Sequence, residues 1–342
     1  MLPIYSKPSF SKMHETYFLL VSVIAFAIIF DFINGFHDTA NAIATSVSTR
    51  VLSPQTAVIM AAILNMVGAL SGTAVAHTVG AGIVEAVSIN QVTIISALLS
   101  AIIWDLLTWY FGLPTSSSHA LISSIVGAAI ATSGTEVVIR TGVYKVFLGL
   151  ILSPAIAIVL GYLFMLLLMR FFGHTSPAMV NSIFSRLQIG SAAYMAFSHG
   201  GNDAQKTMGI ITMALVSYYK LPNFHVPFWV IILCAVAMAM GTALGGWRII
   251  KTLGVRLVYL RPINGFAAEA SAATLIEIAS HIGLPLSTTH VISSTIMGVG
   301  ASKRLSAVRW GIGGNIIMAW ILTLPSCGLI AWGLCKVAMR LE

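Results

Sequence analysis

Residues 112–119 read GLPTSSSH and residues 283–290 read GLPLSTTH, so two nearly identical polar octapeptides occur 171 positions apart. Apolar sequence surrounds each of them. A group of hydroxyl side chains is costly in an apolar environment unless it has polar partners, and here the group occurs twice. The pair therefore predicts one ligand held between two related halves of the chain.

The composition of the chain indicates an integral membrane protein. Hydrophobic residues make up 58% of the 342 residues and charged residues only 8%, and the mean hydropathy is +0.94. The apolar runs are long enough to span a bilayer as helices and too continuous for a β-barrel. We expect an all-α fold with about 10–12 transmembrane segments. The net charge of +8 is spread over loops, which is typical of a membrane protein and not of a nucleic-acid-binding face.

Two further pairs of motifs occur in the same order in both halves. The sequence NGFHDTAN at 34–41 matches HGGNDAQK at 199–206, and GTAV at 72–75 matches GTAL at 241–244. Three collinear matches predict an internal duplication, and an odd number of spans in each repeat would make the repeats inverted in the membrane. The predicted division is a first repeat, a short polar connector and a second repeat, at residues 1–173, 174–187 and 188–342.

An aspartate lies in each copy of the first motif, Asp38 in one and Asp203 in the other, and glycine stands close before both. Glycine lets a helix unwind, and unwinding frees backbone groups at bilayer depth. Freed N–H groups attract anions, while freed carbonyls together with a carboxylate attract small cations. We therefore predict helix breaks at residues 31–45 and 196–210.

The two octapeptides predict re-entrant hairpins at residues 112–131 and 283–301, because the apolar run after each is short for a full span. Hydroxyl and N–H groups at the start of a helix can donate to a tetrahedral oxyanion. The alternative role for such serines is N-capping alone. Because the cluster is duplicated, we favour ligand binding.

Ionisable residues close to these motifs are further candidates. His119 and His290 end the two octapeptides, and an orienting or proton-carrying role is as consistent with a matched pair as simple packing is. Lys206 lies in the second aspartate motif, where it can pair with Asp203 or meet a negative substrate. The three cysteines lack metal-ligand spacing, so we predict neither a metal site nor a cofactor.

Three more acids lie in apolar segments. Glu269 and Glu277 are about two helical turns apart, and we expect at least one of them to face a water-filled pathway. Asp105 lies between Trp104 and Trp109, and we expect it at the membrane interface, where tryptophan is enriched.

The motifs resemble those of the inorganic phosphate transporter (PiT) family. Residues 34–42 (NGFHDTANA) and 200–209 (GGNDAQKTMG) are similar to its paired signature, and the two octapeptides are similar to its second paired motif. The resemblance extends from about residue 30 to about residue 332. It implies a cation-coupled symporter that imports inorganic phosphate across the cell (inner) membrane by alternating access, as an inverted repeat in a homodimer.

The resemblance also implies roles for individual residues. The implied phosphate site comprises Ser116, Ser117, Ser118, Ser287, Thr288, Thr289, Asp38, Asn41, Asp203 and Gln205. The implied ion-coupling residues are Asp38, Asn41, Asn202, Asp203, His37 and Glu269.

Two departures from the family pattern bear on the coupling cation. Many sodium-coupled members read Gly-Ala-Asn-Asp where this chain has GFHD at 35–38, and they carry a glutamate where it has Asn65. A histidine beside an aspartate can bind a proton near neutral pH, whereas an asparagine cannot. The sequence therefore favours proton over sodium as the coupling cation. It leaves open whether phosphate travels alone or as a metal–phosphate complex.

Two other functions, transport of another oxyanion such as sulfate and intramembrane proteolysis, are compatible with part of this pattern. Sulfate offers only acceptors to a site, whereas phosphate keeps a proton and also needs an acceptor, so hydroxyls beside two aspartates favour phosphate. An intramembrane aspartyl protease also places two aspartates on different helices. That reading leaves the duplicated hydroxyl clusters without a role, and Asp203 follows Gly-Gly-Asn instead of Gly-x-Gly.

Overall fold

The chain folds almost entirely into helices, as the apolar runs predict. The computed structural model describes the backbone of residues 10–341 and the side chains of residues 16–341, so residues 1–9 of the predicted first repeat and residue 342 of the second lie outside it. The α-helices of the described part are Phe10–Ser48 (α1), Pro54–Ala69 (α2), Ala74–Ala81 (α3), Gln91–Phe111 (α4), Ser117–Ser133 (α5), Arg140–Phe172 (α6), Pro177–Tyr219 (α7), Phe228–Leu244 (α8), Trp247–Lys251 (α9), Pro262–His281 (α10), Thr288–Lys303 (α11) and Trp310–Leu341 (α12). A π-helical turn, Thr252–Leu257, continues α9.

Several of these helices are long and apolar enough to cross a membrane. Within the described residues, α1 from Thr16, α4, α6 and α12 meet that condition singly. The helices α2 and α3 meet it together with a bend of 71°, as do α8 and the segment Trp247–Leu257 with a bend of 59°. The long helix α7 and the helix α10 are more polar because they carry residues of the candidate site, so length and composition alone identify four to six spans.

The order of elements in α1–α6 occurs again in α7–α12. Each series has a long helix, a bent pair of shorter helices, a helical hairpin and a second long helix. The two series interlock, because α5 packs along α12 and α11 packs along α6. The helix α1 likewise packs against α8, and α7 against α2. Each hairpin is therefore held by the other half of the chain.

The predicted helix breaks at residues 31–45 and 196–210 are absent, since α1 and α7 run through both segments without interruption. The glycines there allow close helix packing instead of unwinding. A Cβ atom at Gly35 would lie 2.5 Å from the carbonyl oxygen of Met238, and one at Gly200 would lie 2.1 Å from that of Asn65. Both distances are far below van der Waals contact, so only glycine lets α8 and α2 approach α1 and α7 this closely.

The predicted connector at 174–187 is also mostly wrong, because α7 already begins at Pro177. The Ser176 hydroxyl accepts a hydrogen bond from the backbone N–H of Met179 at 3.4 Å, and proline follows as the first helical residue. Serine as N-cap and proline at the next position are a strong helix start. The polar composition of the segment belongs to an exposed first turn of a helix and not to a loop.

Both octapeptides form sharp reversals between two helices. The helix α4 ends at Phe111 and α5 begins at Ser117, while α10 ends at His281 and α11 begins at Thr288. The glycine that begins each octapeptide has a left-handed backbone, with φ of 65° at Gly112 and 70° at Gly283. Glycine adopts this conformation without strain, which allows the chain to turn back at once.

We predict that Gly200→Ala destabilises the protein by about 1–3 kcal/mol, because the new methyl group would force α2 and α7 apart. The matched control is Gly190→Ala on the same helix, where a Cβ would meet nothing within 4 Å. The control should be neutral or stabilise by up to about 1 kcal/mol, because alanine favours the helix. Unfolding of the purified protein in detergent measures both. Equal stability of the two variants would contradict the close-packing role of Gly200.

Candidate functional site

A stripe of buried polar side chains runs along α1. Its members recur every three or four residues, so they lie on one face of the helix. They are Asp31, Asn34, Asp38, Asn41 and Thr45. The facing helix α7 carries a corresponding set, His199, Asn202, Asp203 and Lys206. Asp38 and Asp203 are both buried, and the tip of the second hairpin contacts both of them.

The first hairpin tip presents one capping serine and two further hydroxyls. The Ser116 hydroxyl accepts the backbone N–H of His119 at 3.1 Å and is the N-cap of α5. The Ser118 hydroxyl donates to the carbonyl of Leu286 at 3.1 Å, which joins the two tips. The Ser117 hydroxyl is buried and forms no hydrogen bond to a described residue. At this tip, Ser117 is therefore the hydroxyl available to a ligand.

The second hairpin tip contacts both aspartates. The Thr288 hydroxyl donates to Asp203 Oδ2 at 2.9 Å, and the Thr289 hydroxyl is 3.3 Å from Asp38 Oδ1. The Asn41 amide donates to both threonine hydroxyls, at 3.2 Å to Thr288 and 2.9 Å to Thr289. One turn of polypeptide thus bridges α1 and α7.

Ser287, the residue before these threonines, plays the capping part. Its hydroxyl accepts the backbone N–H of His290 at 3.2 Å. Ser116 and Ser287 were both assigned to the phosphate site from the sequence. Each hydroxyl is the N-cap of its helix, which is the alternative role for such serines.

Lys206 ties the second aspartate to both tips. Its ammonium group donates to Asp203 Oδ1 and to the Ser118 hydroxyl, each at 2.5 Å, and to the carbonyl of Leu286 at 2.9 Å. All three donor positions of the lysine are filled, as a buried cation requires. The pairing with Asp203 that the sequence suggested is present.

Histidines flank the two aspartates. His37 Nδ1 lies 2.6 Å from Asp38 Oδ1, and His37 Nε2 lies 3.2 Å from the Thr108 hydroxyl. His199 Nε2 lies 3.4 Å from Asp203 Oδ2, and its Nδ1 lies 3.1 Å from the Asn65 side-chain oxygen. We had predicted no role for His199. Its spacing of four residues from Asp203, on the same helix face, is the signal that would have identified it.

The two central carboxylates and the imidazole of His199 form the part of the described structure best suited to a small cation. One ligand atom each of Asp38, His199 and Asp203 lies within 4.8 Å of the others, and all three residues are buried. Two carboxylates and an imidazole can hold a proton or a metal cation. The unpartnered side-chain oxygens of Asn41 and Asn202 add further acceptors to the same helices.

Two residues predicted in the central site are used elsewhere. The Gln205 side-chain oxygen accepts the backbone N–H groups of Val75 and Ala76, at 2.8 and 3.4 Å, so Gln205 caps the start of α3 and does not line the tips. The Asn202 amide donates to the Ser280 hydroxyl at 2.8 Å. The family resemblance implies Gln205 in the phosphate site, but two positions after Asp203 a helical residue faces another direction.

Glu269 forms a separate polar cluster. It is fully buried on α10 and accepts hydrogen bonds from the hydroxyls of Thr45 and Ser191 and from the Gln188 amide, the last at 3.2 Å. Its described hydrogen bonds reach neither the aspartates nor the hairpin tips. Thr45 lies one turn beyond Asn41 on α1, so the cluster continues the polar stripe of that helix.

The two octapeptide histidines meet between the tips. The rings of His119 and His290 stack with centroids 4.4 Å apart, and Trp320 of α12 stacks on the other face of His290 at 3.8 Å. The Trp320 N–H donates to the carbonyl of Pro114 at 2.9 Å. The contact orients one tip against the other, and a proton-carrying role stays a prediction. Asp105, expected at the interface, is instead fully buried.

Taken together, these features define a multi-pass membrane transporter. Interlocked helical halves enclose a site of hydroxyls, amides, one ammonium group and two carboxylates, and no soluble domain lies within the described residues. A family model described as "Phosphate transporter family" matches residues 34–331. The chain belongs to the phosphate transporter family.

Relatives and a solved structure agree with this assignment. The chain is 48% identical over 325 residues to a probable low-affinity inorganic phosphate transporter of Rhizobium meliloti (strain 1021), covering 94% of this chain and 97% of that one. It is 48% identical over 324 residues to a protein of the same description from Bacillus subtilis (strain 168), covering 92% and 96%. Relatives named as transporters exclude the protease alternative.

The fold is also that of a solved structure described as "The sodium-dependent phosphate transporter". The two share a TM-score of 0.88 at 23% sequence identity, over 95% of this chain and 100% of that one. At this identity the likeness concerns the fold. The predicted all-α membrane architecture is therefore confirmed.

We predict a strong energetic coupling between Asp203 and Lys206 in a double-mutant cycle with Asp203→Asn and Lys206→Met. Removing the lysine alone leaves a buried charge unpaired, which costs about 3–5 kcal/mol, and removing both should recover much of this loss. The control cycle uses Glu277→Gln and His281→Gln, whose contact of 3.3 Å involves a histidine side chain that is 77% exposed. Coupling there should stay below about 1 kcal/mol. Similar couplings in both cycles, measured by unfolding in detergent, would contradict a buried ion pair.

Proposed function

We propose that this protein imports inorganic phosphate across the cell (inner) membrane by cation symport with alternating access. The observation that carries the proposal is the meeting of the second hairpin tip, at the start of α11, with both Asp38 and Asp203, while Lys206 joins the first tip, through Ser118, to Asp203. The descriptions of the relatives name the same substrate.

The donors and acceptors of the site suit phosphate better than sulfate. Ser117, the two threonines of the second tip and the starts of two helices supply donors to an oxyanion, and the charge of Lys206 lies beside them. The carboxylates supply acceptors for the proton that phosphate keeps near neutral pH. Sulfate has no such proton and would face the carboxylates with oxygen atoms alone, so an acceptor-rich wall disfavours it.

The charges explain why a cation should accompany the anion. Asp38 and Asp203 together carry two negative charges when ionised, and Lys206 compensates one. An anion entering this buried site would add repulsion unless a cation enters as well. Asp38 and Asp203, with His37, His199 and Asn202 beside them, are the residues that we propose for that cation. Glu269, in its own cluster one turn beyond Asn41, would serve a second position on the path.

The hydrogen bonds suggest how the two solutes are coupled. The hydroxyl protons of Thr288 and Thr289 point to Asp203 and Asp38. A cation held by these carboxylates would compete for the same oxygen lone pairs and release the hydroxyls. The released hydroxyls could then donate to phosphate. Cation binding therefore prepares the donor set of the anion site, and phosphate binding strengthens cation binding by the same free energy.

We propose a proton as the coupling cation in preference to sodium. His37 contacts Asp38 at 2.6 Å, so a proton brought to this pair can be shared between an imidazole and a carboxylate. The repeated element order and the exchange of hairpins between halves support an inverted repeat that rocks about the site. A homodimer, as the family resemblance implies, completes the proposal.

We predict that reconstituted protein takes up labelled phosphate in response to an inward proton gradient, and not in response to a sodium gradient alone. Unlabelled phosphate and arsenate should compete, because both keep a proton, whereas sulfate should not. Uptake driven only by sodium would exclude proton coupling while leaving phosphate transport intact. If unlabelled sulfate inhibits the uptake and unlabelled phosphate does not, phosphate is not the substrate.

We also predict that Ser117→Ala and Thr288→Val each weaken phosphate binding by about 1.5–3 kcal/mol, the worth of a hydrogen bond to a charged group. This corresponds to a loss of roughly 10-fold to 150-fold in affinity. Thr295→Val is the control, since its hydroxyl on the same helix α11 donates only to the carbonyl of Ile292, at 2.9 Å. If competition binding gives all three variants the same affinity, the hairpin tips are not the phosphate site.

A further inference from the structure

A cavity of about 1060 Å³ lies at the end of α1, apart from the central site. Its walls come from the turn after α1, from the first turns of α7 and from the segment that enters α10. Polar lining residues include Ser48, Thr49, Asn181 and Ser185. None of the hairpin-tip residues and neither central aspartate lines it.

The electrostatic character of this cavity is positive. Arg50 and Arg261 line it, and none of its lining residues is Asp or Glu. Neither arginine forms an ion pair with a described residue. Two helices, α7 and α10, also begin in its wall at Pro177 and Pro262. Unpaired guanidinium groups and the positive ends of helix dipoles attract anions, and guanidinium matches the geometry of phosphate.

The backbone at Arg50 adds an independent observation. Arg50 has φ of 61°, and Lys220 at the end of α7 is the other residue besides glycine with positive φ in the described part of the chain. A left-handed conformation costs a long side chain roughly 1 kcal/mol or more, and glycine or asparagine avoids that cost. A charged residue at this position is therefore explained by its charge and not by the turn.

Lys220, the other charged residue with positive φ, uses its side chain in a hydrogen bond. Its ammonium group donates to the carbonyl of Val87 at 3.1 Å, so it fastens the segment before α4 to the end of α7. The Ser217 hydroxyl donates to the carbonyl of Ile89 at 2.6 Å in the same region. At the end of α1, by contrast, the arginine side chain lines an open cavity.

A chain of hydrogen-bonded polar side chains links the wall of this cavity to the central site. The Thr49 hydroxyl, in the cavity wall, donates to the Gln188 side-chain oxygen at 2.8 Å, and Gln188 in turn contacts Glu269. The Glu269 oxygens are turned towards Thr45, Ser191 and Gln188. From Thr45 the polar stripe of α1 continues one turn to Asn41, which binds the second hairpin tip.

We propose that the Arg50 and Arg261 cavity is an antechamber that binds phosphate before it reaches, or after it leaves, the site between Asp38 and Asp203. The proposal rests on the proposed phosphate transport. The antechamber raises the local concentration of the oxyanion next to a site whose own net charge is negative. Its binding is weak and depends on ionic strength, since the guanidinium groups are solvated.

The first test measures initial rates of labelled phosphate uptake in proteoliposomes against phosphate concentration. The double variant Arg50→Asn, Arg261→Gln should raise KM about tenfold with little change in maximal rate, because electrostatic steering acts on capture. Asparagine keeps the left-handed turn favourable, so folding is preserved. Arg50→Lys should retain the wild-type KM. Arg186→Gln, an exposed arginine of α7 that does not line the cavity, is the matched control and should behave as wild type.

The second test separates the antechamber from transport. In the background Ser117→Ala, Thr288→Val, which removes two phosphate donors from the central site, line broadening of the phosphorus NMR signal of inorganic phosphate should persist in the detergent-solubilised protein. It should disappear on addition of Arg50→Asn and Arg261→Gln, and in about 1 M salt. Broadening that does not depend on the two arginines would overturn the antechamber, even if phosphate transport is sound. If the wild type binds phosphate at the two arginines, as shown by line broadening that depends on them, but does not transport phosphate, the proposed function is wrong and the cavity is still a phosphate-binding site.

An unchanged KM for the double variant, with less protein inserted in the membrane, would mean that the arginines only set the topology of their loops. That result would also overturn the antechamber.

Discussion

The burial of two carboxylates inside a membrane protein is the constraint on which the rest of this structure depends. Asp38 and Asp203 are buried within the two longest helices of the described residues. A buried charge is tolerated only when oppositely charged or hydrogen-bonding groups surround it. Lys206, the hairpin threonines and two histidines meet that requirement, and they come from three separate helices.

This requirement explains why the two halves interlock. Each hairpin packs along the last helix of the opposite half, and the second tip reaches both aspartates. A site assembled from both halves changes whenever the halves move relative to each other. A shift of one half would therefore alter the hydrogen bonds that hold the carboxylates.

Close packing between helices is the second feature that holds the site together. Gly35 and Gly200, each in the turn just before its aspartate, have no side chain to hold α8 and α2 away. Backbone carbonyls of neighbouring helices then lie almost against α1 and α7. Small residues that bring helices together are a general device of membrane proteins, where lipid tails give no hydrophobic drive for association.

The sequence alone determined the class of protein and its helical nature, and it predicted the duplication and the polar residues of the candidate site. Composition, collinear motifs and hydroxyl clusters in apolar sequence are local properties, and local properties survive without knowledge of the fold. The helix starts at Ser116 and Ser287 could also be anticipated, because capping depends on residues three positions apart.

Only the tertiary structure decided what the glycines and several polar side chains do. Glycine is compatible with an unwound turn and with a close helix contact, and the choice depends on the neighbouring helix. The residue contacted is Met238 for Gly35 and Asn65 for Gly200, each far away in the sequence. Gln205 caps α3 and His199 joins Asp203 for the same reason, since a side chain's partner across the core is not encoded next to it in the chain. The cavity of Arg50 and Arg261 arises from three segments distant in sequence, so no local pattern marks it.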